Sequence, residues 1–169
     1  MHQTKKMVLL SLFTAIAIVI YAIEAQLPTP IAIPGVKLGL SNMVSLSTLL
    51  ILGPVECMTV LILRIILGSF ITGSISALLF SLAGGLLSNL AMILLYILFK
   101  KHISLWVISI IGSILHNIGQ LFVAAIIIEN LKIYFYLPIL LVSAIITGYF
   151  VGIGAYFIQK QFTSINTKS

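Results

Sequence analysis

Residues 75–99 read ISALLFSLAGGLLSNLAMILLYILF, an apolar run without a single charged side chain. Because a transmembrane helix needs about 20 predominantly apolar residues, this stretch by itself predicts a membrane span. The rest of the chain is similar, since 61% of its 169 residues are hydrophobic and 7% are charged, and the mean hydropathy is +1.27. A soluble domain carries about 25% charged residues, so the composition excludes both a soluble globular domain and a disordered chain.

Apolar runs of this kind recur along the whole sequence and predict an all-α integral membrane protein, a compact bundle of six transmembrane helices in a single domain over residues 1–169. The runs are continuously apolar rather than alternating, which excludes a β-barrel. Between the first two runs, residues 26–36 (QLPTPIAIPGV) contain three prolines and cannot be helical throughout. The predicted spans are about residues 7–25, 37–52, 55–71, 75–99, 104–128 and 134–158.

The lysines at the ends of these spans predict the orientation. Cytoplasmic loops of membrane proteins carry an excess of Lys and Arg, and an even number of spans puts both termini on one side. We therefore predict a multi-pass protein of the cell membrane with both termini in the cytoplasm. The cations form no basic stripe, which argues against nucleic-acid binding. The cytoplasmic side receives Lys5, Lys6, Lys100, Lys101, Lys160 and Lys168, and the outer side receives Lys37 and Lys132.

A cation lies near the middle of the third span. Inserting Arg64 at that depth costs about 2.5–3.5 kcal/mol, so its side chain must face the bundle interior or a water-filled cavity. Glu24 and Glu56 are both candidate partners, and the sequence does not choose between them. Arg64 is therefore either half of a structural ion pair or a contact for an anion or carbonyl group of a substrate.

Three polar side chains lie together at the middle of the fifth span. His116 and Gln120 share a helix face, and Asn117 is three residues before Gln120. We predict that the three point into one sector and contact a substrate, with Gly119 allowing close approach of a ligand or a backbone. The alternative is hydrogen bonding to a neighbouring helix. A metal site is not expected, because no second histidine or carboxylate stands at ligand spacing.

Two further stretches carry candidate binding residues. Residues 81–89 (SLAGGLLSN) contain small residues suited to close helix packing and, at Asn89, a weaker candidate for substrate contact. Residues 34–42 (PGVKLGLSN) place Lys37 and Asn42 where they would form the lip of a pocket that opens outward. A lysine at this depth could equally extend its charge to the membrane surface.

The first span presents a stripe of small residues at Ser11, Ala15 and Ala22. Small residues allow two helices to approach closely in lipid. This stripe is a candidate docking surface for another helix, of the same chain or of another subunit.

The sequence argues against an enzyme. It contains three acidic residues, none of them Asp, whereas Mg²⁺ sites need several carboxylate oxygens. The phosphate-binding pattern G-x-x-x-x-G-K-[ST] does not occur, so any ATP-derived energy would come from a partner. We expect no catalytic residue, metal or cofactor, and the single Cys57 offers no disulfide.

The motifs together resemble the Gx transporter family, also catalogued as heptaprenyl diphosphate synthase component I, over about residues 7–158. Such proteins resemble the substrate-binding S components of energy-coupling factor (ECF) transporters. S components have six helices and cytoplasmic termini, and they dock on an energy-coupling membrane subunit with two ATPases through an Ala-x-x-x-Ala pattern. The first span has Ser11 in place of the first alanine of that pattern. The motifs are PGVKLGLSN at 34–42, LILRIILGS at 61–69, SLAGGLLSN at 81–89, HNIGQLFVA at 116–124 and YLPILLVSAIITG at 136–148.

The two family names imply different functions. The first is a membrane-embedded, substrate-binding subunit of an uptake transporter for a vitamin, quinone or isoprenoid-precursor-like molecule. The second is a non-catalytic membrane subunit of heptaprenyl diphosphate synthase in isoprenoid or menaquinone synthesis. Because the candidate polar residues would suit a substrate cavity in an apolar wall, we favour the transport interpretation at this stage.

Overall fold

The computed structural model describes residues 3–24, 26, 39–73, 75–99 and 102–166. These residues form helices, and none of them belongs to a β-strand. The all-α prediction is thereby confirmed for the described part of the chain. Its α-helices are α1 (Gln3–Glu24), α2 (Asn42–Ile51), α3 (Pro54–Thr72), α4 (Ile75–Phe99), α5 (Leu105–Ile128) and α6 (Leu137–Asn166), and a 3-10 helix (Leu131–Tyr136) leads into α6.

Within the described residues, five helical segments are long and apolar enough to cross a membrane. This agrees with the predicted multi-pass membrane protein. The segments are Gln3–Glu24, Pro54–Ile71, Ile75–Phe99, Leu105–Ile128 and Leu131–Ser164.

The second predicted span, residues 37–52, differs from the prediction. Its helix, α2, has ten residues and is therefore about 15 Å long, half of the roughly 30 Å hydrocarbon core. Gly39 has a φ of +81°, so residues 39–41 form a turn before α2 begins. At the other end Gly53, with a φ of +114°, and Pro54 separate α2 from α3.

Contacts between helices show how the chain runs. Lys6 near the start of α1 forms an ion pair with Glu56 near the start of α3, and Tyr21 further along α1 packs on Gly68 further along α3. The two helices are therefore parallel, and the chain must return across the bundle between them. Because α2 covers only about half of that return, it begins in the interior of the bundle.

The remaining long helices alternate in direction, and glycines bring them close together. A Cβ added to Gly119 of α5 would lie 2.8 Å from the carbonyl oxygen of Ala83 and 2.9 Å from Gly84 Cα, both in α4. Likewise, α6 crosses α5 at Gly148 and Gly152, where an added Cβ would meet the backbone of Ile110 or Trp106. These contacts place α5 between α4 and α6.

Apolar clusters fill the bundle above and below its middle. One cluster joins Phe80 of α4 with Leu121 of α5, and a second joins Met92 of α4 with Ile108 of α5. The segments 81–91 of α4 and 109–120 of α5 therefore lie between the two clusters. Most of the candidate polar residues lie in this intervening layer.

Candidate functional site

The layer between the two apolar clusters contains many of the buried polar side chains, and we call a set of ten of them the polar layer. It is built from the C-terminal end of α1, the turn at 39–41, the start of α2 and the middle parts of α3, α4 and α5. Its members are Tyr21, Glu24, Ser41, Asn42, Arg64, Ser81, Ser88, Asn89, His116 and Gln120, all of them buried.

Helix α4 lies against several other helices in this layer. Ser81, Gly84, Gly85, Ser88 and Asn89 recur at helical spacing and are all buried. The Ser81 hydroxyl donates to the Tyr21 hydroxyl of α1 at 3.3 Å. The Ser88 hydroxyl accepts from Nδ2 of Asn42 in α2 at 3.3 Å. The same stripe of α4 thus contacts α1 and α2, and its glycines allow α5 and α3 to approach closely.

Arg64 enters the polar layer from α3 and is 1% exposed. Its Nη1 donates to the hydroxyl of Ser41, the residue that precedes α2. Its Nε and Nη2 have no hydrogen-bond acceptor among the described residues. A Cβ added to Gly85 would lie 3.6 Å from Nη2, which places the guanidinium beside α4.

The two candidate acidic partners of Arg64 have different positions. Glu56 pairs with Lys6 at the other end of α3, whereas Glu24 attracts Arg64 electrostatically. Oε1 of Glu24 accepts from the backbone N–H of Gly39 and from that of Leu40, the latter at 3.2 Å. Glu24 thus ties the end of α1 to the turn before α2, and it is the acidic residue close to Arg64.

The three polar residues of α5 do not point into one sector, contrary to the prediction. A Cβ added to Gly84 would lie 2.9 Å from Cγ of Gln120 and 3.1 Å from Nδ1 of His116, so both side chains face α4. Asn117 instead donates from Nδ2 to the Leu140 carbonyl of α6 at 2.9 Å. Neighbouring helix positions are about 100° apart, which turns Asn117 away from His116 and towards α6.

Asn89 and Asn42 lie in the polar layer as amides with unpaired atoms. Asn89 is 0% exposed, and neither its Oδ1 nor its Nδ2 has a partner among the described residues. Nδ2 of Asn42 donates to the Ser88 hydroxyl, while Oδ1 of Asn42 has no hydrogen-bond partner among the described residues. These amides and Arg64 offer hydrogen bonds that the described protein atoms do not use.

The remaining predicted residues lie elsewhere. Lys37 falls outside the described residues. On α1, Ser11 and Ala15 are exposed and Ala22 is half-buried, so much of the stripe of small residues faces outward. Gly119 contacts the backbone of α4 and not an open cavity, which supports a packing role.

Sequence reasoning missed two members of the polar layer. The Tyr21 hydroxyl and the Ser41 hydroxyl each receive a hydrogen bond from another helix. Hydroxyl groups within or beside apolar runs are common in membrane proteins. The sequence therefore does not single out these two, and their importance becomes visible only when the contacts with neighbouring helices are known.

The side chains of this layer are suited to binding a ligand. Guanidinium, amide, hydroxyl and imidazole groups can orient a ligand by hydrogen bonds in an apolar wall. Among the described residues, no group of three potential metal-ligating side chains comes together.

The profile of one protein family, described as heptaprenyl diphosphate synthase component I, matches residues 13–158 of the chain. The chain belongs to this family. The match to heptaprenyl diphosphate synthase component I runs from within α1 to within α6 and includes every residue of the polar layer. Among curated proteins and among solved structures, none matches the chain significantly. The further resemblance to S components of ECF transporters stays a prediction.

Proposed function

We propose that the chain is a non-catalytic, membrane-embedded component of a prenyl diphosphate synthase and works with a separate catalytic partner. The observation that carries this proposal is the family match over residues 13–158, because the family is described as a component of such a synthase. It favours the synthase interpretation over the transport interpretation that we favoured from the sequence alone.

The distribution of carboxylates supports a catalytic partner. The chain contains three acidic residues, and a diphosphate-binding Mg²⁺ site needs several carboxylate oxygens. Glu24 accepts from backbone N–H groups, Glu56 pairs with Lys6, and Glu129 ends α5. Because the three are held apart by these roles, Mg²⁺-dependent chemistry belongs to the partner.

A membrane component has a physical purpose in such a complex. Long prenyl chains are apolar and leave water for the bilayer. A synthase held at the bilayer releases its product where the product is soluble, and tethering raises the local concentration of enzyme at that surface.

Affinity purification tests the proposal. A tagged chain, extracted from its native membranes in mild detergent, is expected to bring down an activity that extends farnesyl diphosphate with isopentenyl diphosphate and Mg²⁺. The product is read by chromatography of the prenyl diphosphates. An unrelated multi-pass protein with the same tag serves as the control. The proposal would be overturned if intact protein were eluted with no more prenyl-elongating activity than this control.

A second candidate function is favoured by the polar layer. Buried polar groups inside a membrane protein often mark a substrate path, so the chain could instead bind a small solute for an uptake transporter. In that case Asn42, Arg64, Asn89, His116 and Gln120 would contact the solute. Without a P-loop of its own, the chain would depend on partner ATPases.

The same purification separates the two candidates, because a transport subunit would bring down ATP hydrolysis in place of prenyl elongation. In the transport case, docking would use the exposed small residues of α1, and Ala15→Trp is expected to abolish the ATPase yield. Leu94→Trp, at an exposed position of α4, is the matched control that should retain it. Equal ATPase yields from the two variants would contradict docking through α1.

A further inference from the structure

The guanidinium of Arg64 presents one complete edge that has no hydrogen-bond acceptor among the described residues. Its Nη1 donates to Ser41, whereas Nε and Nη2 lack an acceptor among the described residues. Nε and Nη2 lie side by side and donate in parallel, a geometry that matches the two oxygens of a carboxylate or phosphate group.

Glu24 does not fill this edge. Its Oε1 is engaged by the backbone N–H groups of Gly39 and Leu40, and it acts on Arg64 through space. The charge of Arg64 is thus partly compensated, while no atom of the described part of the chain accepts a hydrogen bond from its Nε–Nη2 edge. A buried guanidinium in this condition is costly in a membrane protein.

Asn89 supplies a second, independent group on α4. It follows Gly85 by four residues, so the two positions share a helix face, and Gly85 is the residue that lies against Nη2 of Arg64. The Asn89 amide is fully buried and has an unpaired donor and an unpaired acceptor among the described residues. It therefore adds a donor near the Arg64 edge, one helical turn away.

The walls beside these groups are apolar. A Cβ added to Gly85 would lie 2.9 Å from Leu61 Cδ1 and 3.2 Å from Ile65 Cδ1, and both of these residues are buried. A ligand at Arg64 therefore meets hydrogen-bond donors at its anionic group and hydrocarbon around the rest.

We propose that Arg64 and Asn89 bind one carboxylate or phosphate group of a small amphiphilic molecule inside the helix bundle. The oxyanion accepts from Nε and Nη2 of Arg64 and from Nδ2 of Asn89. All of these groups belong to the chain itself, so the proposal does not depend on a synthase or an ATPase partner, and failure to find either partner would leave it standing.

Thermal unfolding of the purified chain in neutral detergent tests the site. The single cysteine, Cys57, is buried, so a thiol-reactive fluorogenic dye reports unfolding directly. The soluble probes are inorganic phosphate, pyrophosphate, farnesyl diphosphate and decanoate. We expect at least one of them to raise the melting temperature of the unaltered protein in a saturable manner, because a ligand of the native state stabilises it by mass action.

Two variants examine the proposed contacts. Arg64→Lys keeps the positive charge but lacks the two-donor edge, and it is expected to weaken binding by about tenfold or more. Asn89→Leu is expected to weaken binding too and remains informative if Arg64→Lys does not fold. The matched control is Ser113→Ala, which removes a buried hydroxyl that faces Gly148 of α6, and it should bind as the unaltered protein does.

A second arm separates a free solute from a lipid headgroup. The unaltered protein and Arg64→Lys are compared in nanodiscs of phosphatidylcholine and of phosphatidylglycerol. A stabilisation by phosphatidylglycerol that Arg64→Lys loses, without an effect of the soluble probes, assigns the site to a lipid phosphate. The proposal is overturned if neither arm stabilises the unaltered protein, or if Arg64→Lys and Asn89→Leu both bind as tightly as the unaltered protein.

Discussion

At the scale of single residues, Asn89 and Asn117 show that two similar buried amides can have different roles. Both lie in the middle of long helices and are buried. Asn117 donates to the Leu140 carbonyl of α6 at 2.9 Å, whereas both amide atoms of Asn89 lack partners among the described residues. The first contact stabilises helix association, whereas the second group is the one that we propose to bind a ligand. The difference arises from the neighbouring helix, not from the residue type.

A substitution at Asn117 should therefore affect stability. Asn117→Leu removes the hydrogen bond between α5 and α6 and is expected to lower the free energy of unfolding by roughly 0.6–2 kcal/mol, the order of magnitude found for hydrogen bonds between membrane helices. Unfolding in mixed micelles with increasing denaturing detergent measures the change. Thr147→Val is the control, because the Thr147 hydroxyl bonds within its own helix and its loss should have a smaller effect. An unchanged stability for Asn117→Leu would contradict the structural role.

At the scale of helices, the seam between α4 and α5 sets the geometry of the polar layer. The two backbones meet at Gly84 and Gly119, where an added Cβ would lie within 3 Å of backbone atoms of the other helix. In lipid, such contacts replace the hydrophobic driving force that helices have in water. They also bring His116 and Gln120 against α4, so packing and the composition of the site are linked.

Alanine scanning of glycines tests this seam. Gly119→Ala would force two backbones apart, and we expect a loss of about 1–3 kcal/mol in the free energy of unfolding. At Gly154 the three atoms nearest to an added Cβ all belong to the side chain of Met43, the closest being its terminal Cε at 2.5 Å. Because that side chain is flexible, Gly154→Ala should be much milder. Equal melting temperatures for the two variants would show that the seam is less tight than the contacts indicate.

At the scale of the whole molecule, the path of the chain determines where α2 begins. Since α1 and α3 are parallel, the chain recrosses the bundle between them, and the ten residues of α2 cover about half of the way. Ser41 at the start of α2 consequently lies beside Arg64 in the interior. The prediction that both termini are cytoplasmic rests on the distribution of lysines and stays a prediction.

Cysteine labelling in intact cells tests that orientation. Leu131→Cys, at an exposed position before α6, is expected to react with a membrane-impermeant maleimide added outside. Gln161→Cys, exposed near the C-terminal end of α6, should react only after the membrane is permeabilised. The native Cys57 is buried and provides a low background. The reverse pattern of labelling would show the opposite orientation.

Sequence reasoning predicted the class of protein, the family and most of the polar residues. Continuous apolar runs determine membrane helices because hydrocarbon tolerates few other structures, and polar residues within those runs are few enough to be found by inspection. Five of the predicted binding residues, Asn42, Arg64, Asn89, His116 and Gln120, do lie in the polar layer.

Only the tertiary structure decided which groups of the chain each polar side chain contacts. In the structure Glu56 forms an ion pair with Lys6, and Glu24 accepts hydrogen bonds from the turn beside Arg64. Asn117 donates to a carbonyl of α6, and the second predicted span contains only the ten-residue helix α2. Helical periodicity tells which residues share a face, but it does not tell which face of which neighbour they meet. That depends on the rotation and the depth of each helix, which are set by contacts between residues far apart in the sequence, such as Gly84 with Gly119.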